Sequence, residues 1–590
     1  MTKFKRILSS ILSIVTTMCI SVDFIYGKGS FEGNDYRWGI ILFGLYILIS
    51  KAFEIYNRRL FKYSIIFGGI ISLCATVGFT AERYLIENLT ISYKEIIILL
   101  SQFEAIFVCI TTLTVFLLNS LPKIFDKIKL KKEFILFTTN KKSIFFIAIV
   151  LFLAYLPYIL HYYPGNVLID STVQIMQGQG DAEFTTHHPP IHTALITVCI
   201  NLGHMLTGSY NFGAFIYTMV QTVATCFIFS YTIFYMAKKK VPKSIRLFST
   251  LFYAFCPTIS FMTITMYKDI PFALALLALT ICITEIATNL EIFIKNRVMI
   301  FLTIIAVFLV AIFRNNGLYA VIISTPIIML CIKKHKIKVG AIFITGIALC
   351  VFVTGPVYNM CKIGKGSSKE AFSVILQQYA RITKYKEDEL TDQEKSAIYK
   401  YLPVDNIAEL YNPVFSDPVK HQFSDQAFKE DKVTLFKTYF QLAIKYPIHT
   451  ISSLICNSFG YYYPNTLGWG IYYGVNEECF INNGVDYGIK RQPIVNIPIL
   501  DKINYFVNYK NIPILSMFTN IGFLFWFVVF GLVYCLYTNK KKIIVMYIPV
   551  LCMWFTILAS PVFGEPRYVY GLFTCMPLLI GMSFRKELEE

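Results

Sequence analysis

The stretch HPPIHTALITVCINLGHML, His188 to Leu206, decides how this chain is threaded. Its apolar part, Ile191 to Leu206, has nearly the length of a membrane span. If it crossed a bilayer, the basic run Lys238, Lys239, Lys240, Lys243 and Arg246 would lie on the opposite side from Lys127 to Lys132, against the rule that basic loops stay cytoplasmic. Laid along the outer interface, the conflict disappears: the short loops then on the cytoplasmic side hold roughly 30 Lys and Arg, against roughly 7 in the short outer loops. His188-Pro189-Pro190 at one end and Gly208 at the other suit a short interfacial helix, and both termini then face the cytoplasm.

Working outward, the rest of the chain reads as lipid-embedded. Of 590 residues, 56% are apolar and 15% charged, and a soluble fold that apolar could not cover itself with polar surface. Hydropathy places about fourteen spans, near 7 to 26, 38 to 54, 63 to 80, 95 to 119, 143 to 161, 211 to 237, 244 to 266, 270 to 290, 297 to 313, 317 to 332, 337 to 356, 511 to 537, 543 to 560 and 568 to 583. The first follows Lys3, Lys5 and Arg6 as a signal peptide would, but its apolar core is long and no small-residue cleavage site precedes Lys28, so it reads as a retained span. The expected fold is an all-α polytopic membrane protein. Its divisions are four N-terminal spans over 1–142, a membrane core over 143–356, an outer α-rich domain over 357–510, and three spans with a cytoplasmic tail over 511–590. In the outer domain, Glu370 to Arg381 and Ala427 to Lys445 carry helical periodicity.

The net charge of +18 punctuates the gaps between spans and forms no basic face, which argues against nucleic acid. The fifteen cysteines sit mostly in apolar runs with no CxxC pair; Cys361, Cys456 and Cys479 fall in or beside the outer domain and leave a disulfide open.

The chemistry gathers in the first outer loop, Tyr162 to Pro190. Tyr162-Tyr163-Pro164-Gly165 gives a fixed exit from a span, followed by Asp170-Ser171-Thr172 and Thr186-His187-His188-Pro189-Pro190. A helix starting near Asp170, capped by Asp170 or Ser171, places Gln174 and Gln177 on the same face as Asp170. The loop has no Lys or Arg of its own to neutralise Asp170, and three of the eight histidines, His187, His188 and His192, lie in it or just beyond. A second acid, Asp269, follows Lys268 at an outer turn. The positive groups on that side are Lys268, Arg314, Arg381 near Gln377 and Gln378, and Arg567 in Gly564-Glu565-Pro566-Arg567-Tyr568. Snorkelling anchors explain each singly; together they suit a lipid-linked phosphate, which guanidinium pairs bidentately. Acid and histidine ligands together permit a divalent cation without requiring one.

In these residues the chain resembles the GT-C superfamily of membrane glycosyltransferases that use polyprenyl-phosphate sugars, and within it an uncharacterised bacterial branch. The resemblance rests on Asp170, His188-Pro189-Pro190, Asp269 and Arg567-Tyr568, with Lys268-Asp269, Arg314-Asn315-Asn316-Gly317 and Gln377-Gln378 to Arg381, over roughly residues 145–584. It implies inverting transfer of a sugar from the lipid phosphate to an extracytoplasmic glycan, lipid or protein, with a bacterial cell-envelope polymer as the expected acceptor. Asp170 would be the base, and Asp269, His187 and His188 would sit beside it in the catalytic set. Lys268, Arg314, Arg381, Arg567, Gln174 and Gln377 would bind substrate. Asp170 lacks the adjacent Glu of protein-mannosyltransferase-type loops, and there is no Trp-Trp-Asp signature of transfer to asparagine. Tyr461, Tyr462, Tyr463, Trp469, Tyr472 and Tyr473 either stack on sugars or pack. The alternative reading is a transporter or flippase of lipid-linked glycans. Glu104, however, is the only deep ionisable residue, with Glu285 nearer an inner end, whereas such transporters keep charges near the midplane.

Overall fold

The fold follows from helices whose apolar faces have nowhere to go but against one another or into lipid. The computed structural model describes residues 3–26, 36–127, 138–466, 473–507, 515–559 and 561–585. Helix accounts for 78% of it and no strand forms among the described residues, so the chain is an all-α membrane protein. Nine described helices are long and apolar enough to cross a bilayer, among them Tyr93–Phe125, Lys142–His161, Tyr210–Lys238, Asp269–Thr288 and Ile521–Thr538. That is fewer than the fourteen expected. Arg297–Phe313, Asn315–Cys331 and Tyr570–Ser583 are apolar but shorter, and Arg37–Glu54 carries charges at both ends. Lys243–Phe255 and Pro257–Thr263 make a pair bent by 54°, because Pro257 cannot continue the hydrogen-bond ladder. The expected tail beyond residue 585, the run Lys129 to Lys132 and the start of the span at 511 lie outside the described residues.

Helix Asp269–Thr288 is the centre of the bundle, buried on nearly every face. Some polar groups inside are satisfied by backbone carbonyls: Thr280 and Thr284 hydroxyls donate one turn back, and Tyr155 donates across to the Tyr253 carbonyl at 2.6 Å. The N-terminal helices are part of this packing, with Phe67 against Trp526 and Phe530. A Cβ on Gly78 would stand 2.3 Å from the Tyr463 ring, so only glycine lets helix Arg58–Thr80 approach there.

Helix Pro190–Thr207, begun by a proline in its first turn and ended by left-handed Gly208, is not among the nine. One face buries His192, Ile196, Ile200 and Gly203, where Gly203 meets the backbone of Gly213. The other presents Val198, Leu202, Met205 and Leu206. The polar segment after Met360 has its own core, in which Leu376, Tyr379, Tyr401, Leu435 and Leu442 are fully buried between helices Ser373–Lys386, Asp392–Tyr401 and Lys432–Lys445. All fifteen cysteines are free, including Cys361, Cys456 and Cys479.

Candidate functional site

The loop leaving helix Lys142–His161 is held by backbone from two distant places. Gly165 adopts φ +120°, and a Cβ there would collide with Thr218 Oγ1 at 2.2 Å. Asn166 then pairs with Thr265, and Val167 with Val475, as isolated parallel bridges. Helix Ile169–Gln179 follows with Leu168 at the N-cap, so neither Asp170 nor Ser171 caps it. Ser171 donates instead to the Met266 carbonyl, which locks the first helical turn onto the segment carrying Lys268.

That anchoring aims Asp170 into a cavity of about 1390 Å³ at one end of the bundle. Its Oδ2 accepts from Arg567 Nη1 at 2.7 Å and faces Lys268 Nζ at 3.4 Å. Lys268 also donates to His188 Nδ1 at 3.1 Å, and the His187 ring meets His188 edge-on at 4.6 Å. Arg314 and Arg567 both approach one ring, their guanidinium carbons 4.4 Å and 5.0 Å from the Tyr568 centroid. The opposite character lies beside them: Ile312, Phe313 and Ile557, at helix ends, give the cavity an apolar wall.

Electrostatics set the protonation states. Burial alone would raise the Asp170 carboxyl, but the charges of Arg567 and Lys268 override it and hold the group well below the usual carboxylate range. Burial and then the Lys268 charge push the His188 imidazole down to about 3, so it is neutral and free to accept from Lys268. Glu565 stands two residues before Arg567 in the chain. It lies in the same cavity, 3.9 Å from Arg567 Nε, and burial pushes its carboxyl up despite that arginine. Nothing in the local sequence marks it, because its role comes from burial.

Several expected site residues are placed elsewhere. Asp269 is fully buried, takes a hydrogen bond from Arg314 and does not line the cavity; it positions the arginine that does. Gln174 faces the helix behind it, bonded to Thr193 at 2.9 Å and His192 at 3.0 Å, and Gln177 donates to the Glu183 carbonyl. Arg381 is buried far from Asp170, donating to Tyr411 and Asn88 at 2.9 Å each and to the Leu85 carbonyl at 3.1 Å. Gln377 donates to the Asn412 carbonyl. Of the aromatics, Tyr473 lines the cavity, Tyr461 donates to the Val562 carbonyl, Tyr463 packs on Gly78 and the Tyr462 carbonyl receives Trp526; Trp469 and Tyr472 lie outside the described residues. Among the described residues no group of three or more His, Cys, Asp and Glu side chains is arranged to hold a metal ion.

The histidines make stability depend on pH. His188 and His192 are both held down to about 3, burial being the first cause in each, while the unfolded chain takes up a proton near 6.5. Their contribution is therefore complete above pH 6.5 and is lost as pH falls toward 3. Thermal unfolding of the purified protein in detergent is expected to shift downward over that window, by roughly 1.4 kcal/mol per pH unit for each histidine. The variant His188→Asn with His192→Gln should give a flatter profile; an unchanged slope would remove the histidines from the account.

Fold and site together define a polytopic all-α membrane protein with a charged cavity at one end of its helix bundle. The model of a family of unknown function, DUF6020, matches residues 171–590, and the chain belongs to that family. No curated protein and no solved structure matches.

Proposed function

We propose that this protein is a membrane glycosyltransferase that moves a sugar from a polyprenyl phosphate to an extracytoplasmic acceptor, with inversion at the anomeric carbon. The observation that carries the reading is the meeting of Asp170 with Arg567 and Lys268 in a cavity that also has an apolar wall. An amphiphile whose head is a phosphate ester fits such a site: its chain lies along Ile312, Phe313 and Ile557, and its phosphate takes the cations now held by Asp170. The resemblance to GT-C enzymes supports a core of that type, hydropathy supports about fourteen membrane helices, and the charge bias of the loops supports cytoplasmic termini with the cavity outside.

In the reaction the acceptor oxygen bonds to the anomeric carbon while the carbon–oxygen bond to phosphate breaks, and phosphate leaves with the electron pair. The acceptor proton goes to Asp170. A carboxylate engaged by two cations is a poor base, so donor binding has a second effect: by drawing Arg567 and Lys268 onto the phosphate it restores the basicity of Asp170. Arg314, braced by Asp269, and Arg567 then stabilise the departing phosphate.

A transporter of lipid-linked glycans would use charges deeper in the bundle. Glu104 is the one deep acid, accepting from Thr16 at 2.9 Å through one oxygen while the other has no partner among the described residues, and Glu285, nearer an inner end, is paired with Lys239 at 2.7 Å. The separating experiment supplies purified protein in nanodiscs and in liposomes with a polyprenyl-phosphate sugar and candidate acceptors. Release of polyprenyl phosphate with a new glycoside is expected. Transbilayer movement of the lipid with no glycosidic bond formed would support transport instead.

A further inference from the structure

The cavity has a second basic wall, separate from the cations around Asp170. Gly364 is bridged to Thr185, the Gly366 amide donates to Thr186 Oγ1 at 2.9 Å, and a Cβ on Gly366 would stand 2.8 Å from the His187 amide. Segment 364–373 is thus pressed against the loop that carries the histidines, and it brings Lys365, Lys369 and Ser373 to the cavity.

The charges on this wall do not cancel. The acids Glu370 and Asp417 converge on buried Lys420, at 2.8 Å and 2.7 Å. Lys365 and Lys369 have no ion-pair partner among the described residues. The fourteen-residue helix Ser373–Lys386 begins after them, entered directly from the short turn of helix Ser368–Phe372 that carries Glu370, with no acidic residue in its own first turn and no side-chain cap. Ser373 is 2% exposed and its hydroxyl has no hydrogen-bond partner among the described residues, although it lines the cavity. Two lysines and an idle buried hydroxyl at a helix start are thus brought to one wall of the cavity. His187, which also lines the cavity, lies against Gly366 and close enough to feel the charges of both Lys268 and Lys369.

We infer that Lys365, Lys369 and Ser373 bind an anionic group, phosphate or carboxylate, carried by the acceptor. The donor phosphate belongs to the cations around Asp170; a second anion site across the histidines therefore reads the other substrate. The assignment of that anion to an acceptor rests on the transferase reading, whereas the anion site itself does not.

The test is lysine footprinting of the full-length protein in phosphatidylcholine nanodiscs, without donor, reading acetylation of Lys365 and Lys369 by mass spectrometry. A short glycerol phosphate oligomer should slow acetylation of both several-fold, a neutral glucan oligomer of equal length should not, and half-buried Lys395, which does not line the cavity, should react equally throughout. Lys365→Glu with Lys369→Glu should weaken oligomer binding about tenfold or more, the worth of one charge-assisted hydrogen bond. Equal protection by the neutral glucan, or none by the phosphate oligomer, overturns the anion site whether or not the protein transfers sugars. Protection produced by phosphatidylglycerol nanodiscs alone, and not by the soluble oligomer, gives the site to lipid headgroups and overturns the acceptor assignment.

Discussion

Replacing Asp170 with Asn is expected to lower the turnover of sugar transfer by about 10²- to 10⁴-fold, the usual worth of a positioned base, and at the same time to lower the KM for the lipid donor. The second effect distinguishes the proposal from a general loss of function. In the resting site the carboxylate holds Arg567 at 2.7 Å and Lys268 at 3.4 Å, so it competes with the phosphate for the same cations. Asparagine keeps the shape and removes the competitor. The fold should survive, since Arg567 remains over Tyr267 and Tyr568 and near Glu565. Steady-state kinetics on the purified variant measure both parameters. A fall in turnover with a raised donor KM would make Asp170 a scaffold for the cations rather than the base.

The largest effect on stability is expected from Asp269→Ala. Asp269 is fully buried and Arg314 nearly so, and they are each other's ion-pair partner. Removing one member of a buried pair leaves an uncompensated charge, which costs about 3–5 kcal/mol. Chemical denaturation in detergent should show a loss of that size. The double variant Asp269→Leu with Arg314→Met should recover most of it, because no charge is left buried, yet remain inactive for want of Arg314. A single variant that loses less than about 1 kcal/mol would mean that water reaches the pair and that Arg314 is not held by it.

What could be read from the chain alone divides along physical lines. Membrane embedding and the separate standing of helix Pro190–Thr207 were legible, because hydropathy and charge asymmetry are properties of segments. The gathering of Asp170, Lys268 and Arg567 was legible from their common side of the bundle. Which way a side chain points was not. Gln174 lies one turn beyond Asp170 on the same helix face, but that face turns from cavity to protein within the turn, and Gln174 bonds to Thr193. Arg381 reads in sequence like Arg567, as an anchor at a membrane boundary, and its burial against Tyr411, Leu85 and Asn88 comes from distant segments that leave no mark beside it. Asp269 looked like a second site acid because burial behind Arg314 leaves no mark in sequence. The same holds for Glu565.

Arg381 also changes what the first part of the chain is for. A single guanidinium reaches from the polar segment to Leu85 and Asn88, beyond the end of helix Arg58–Thr80, while Tyr463 fills the space that Gly78 leaves open on that helix. The segment that supplies Lys365, Lys369 and Ser373 is therefore moored to helices outside the part of the chain that resembles GT-C proteins. Cutting those helices away would not yield a smaller protein with the same mouth; it would yield one whose second wall had come adrift.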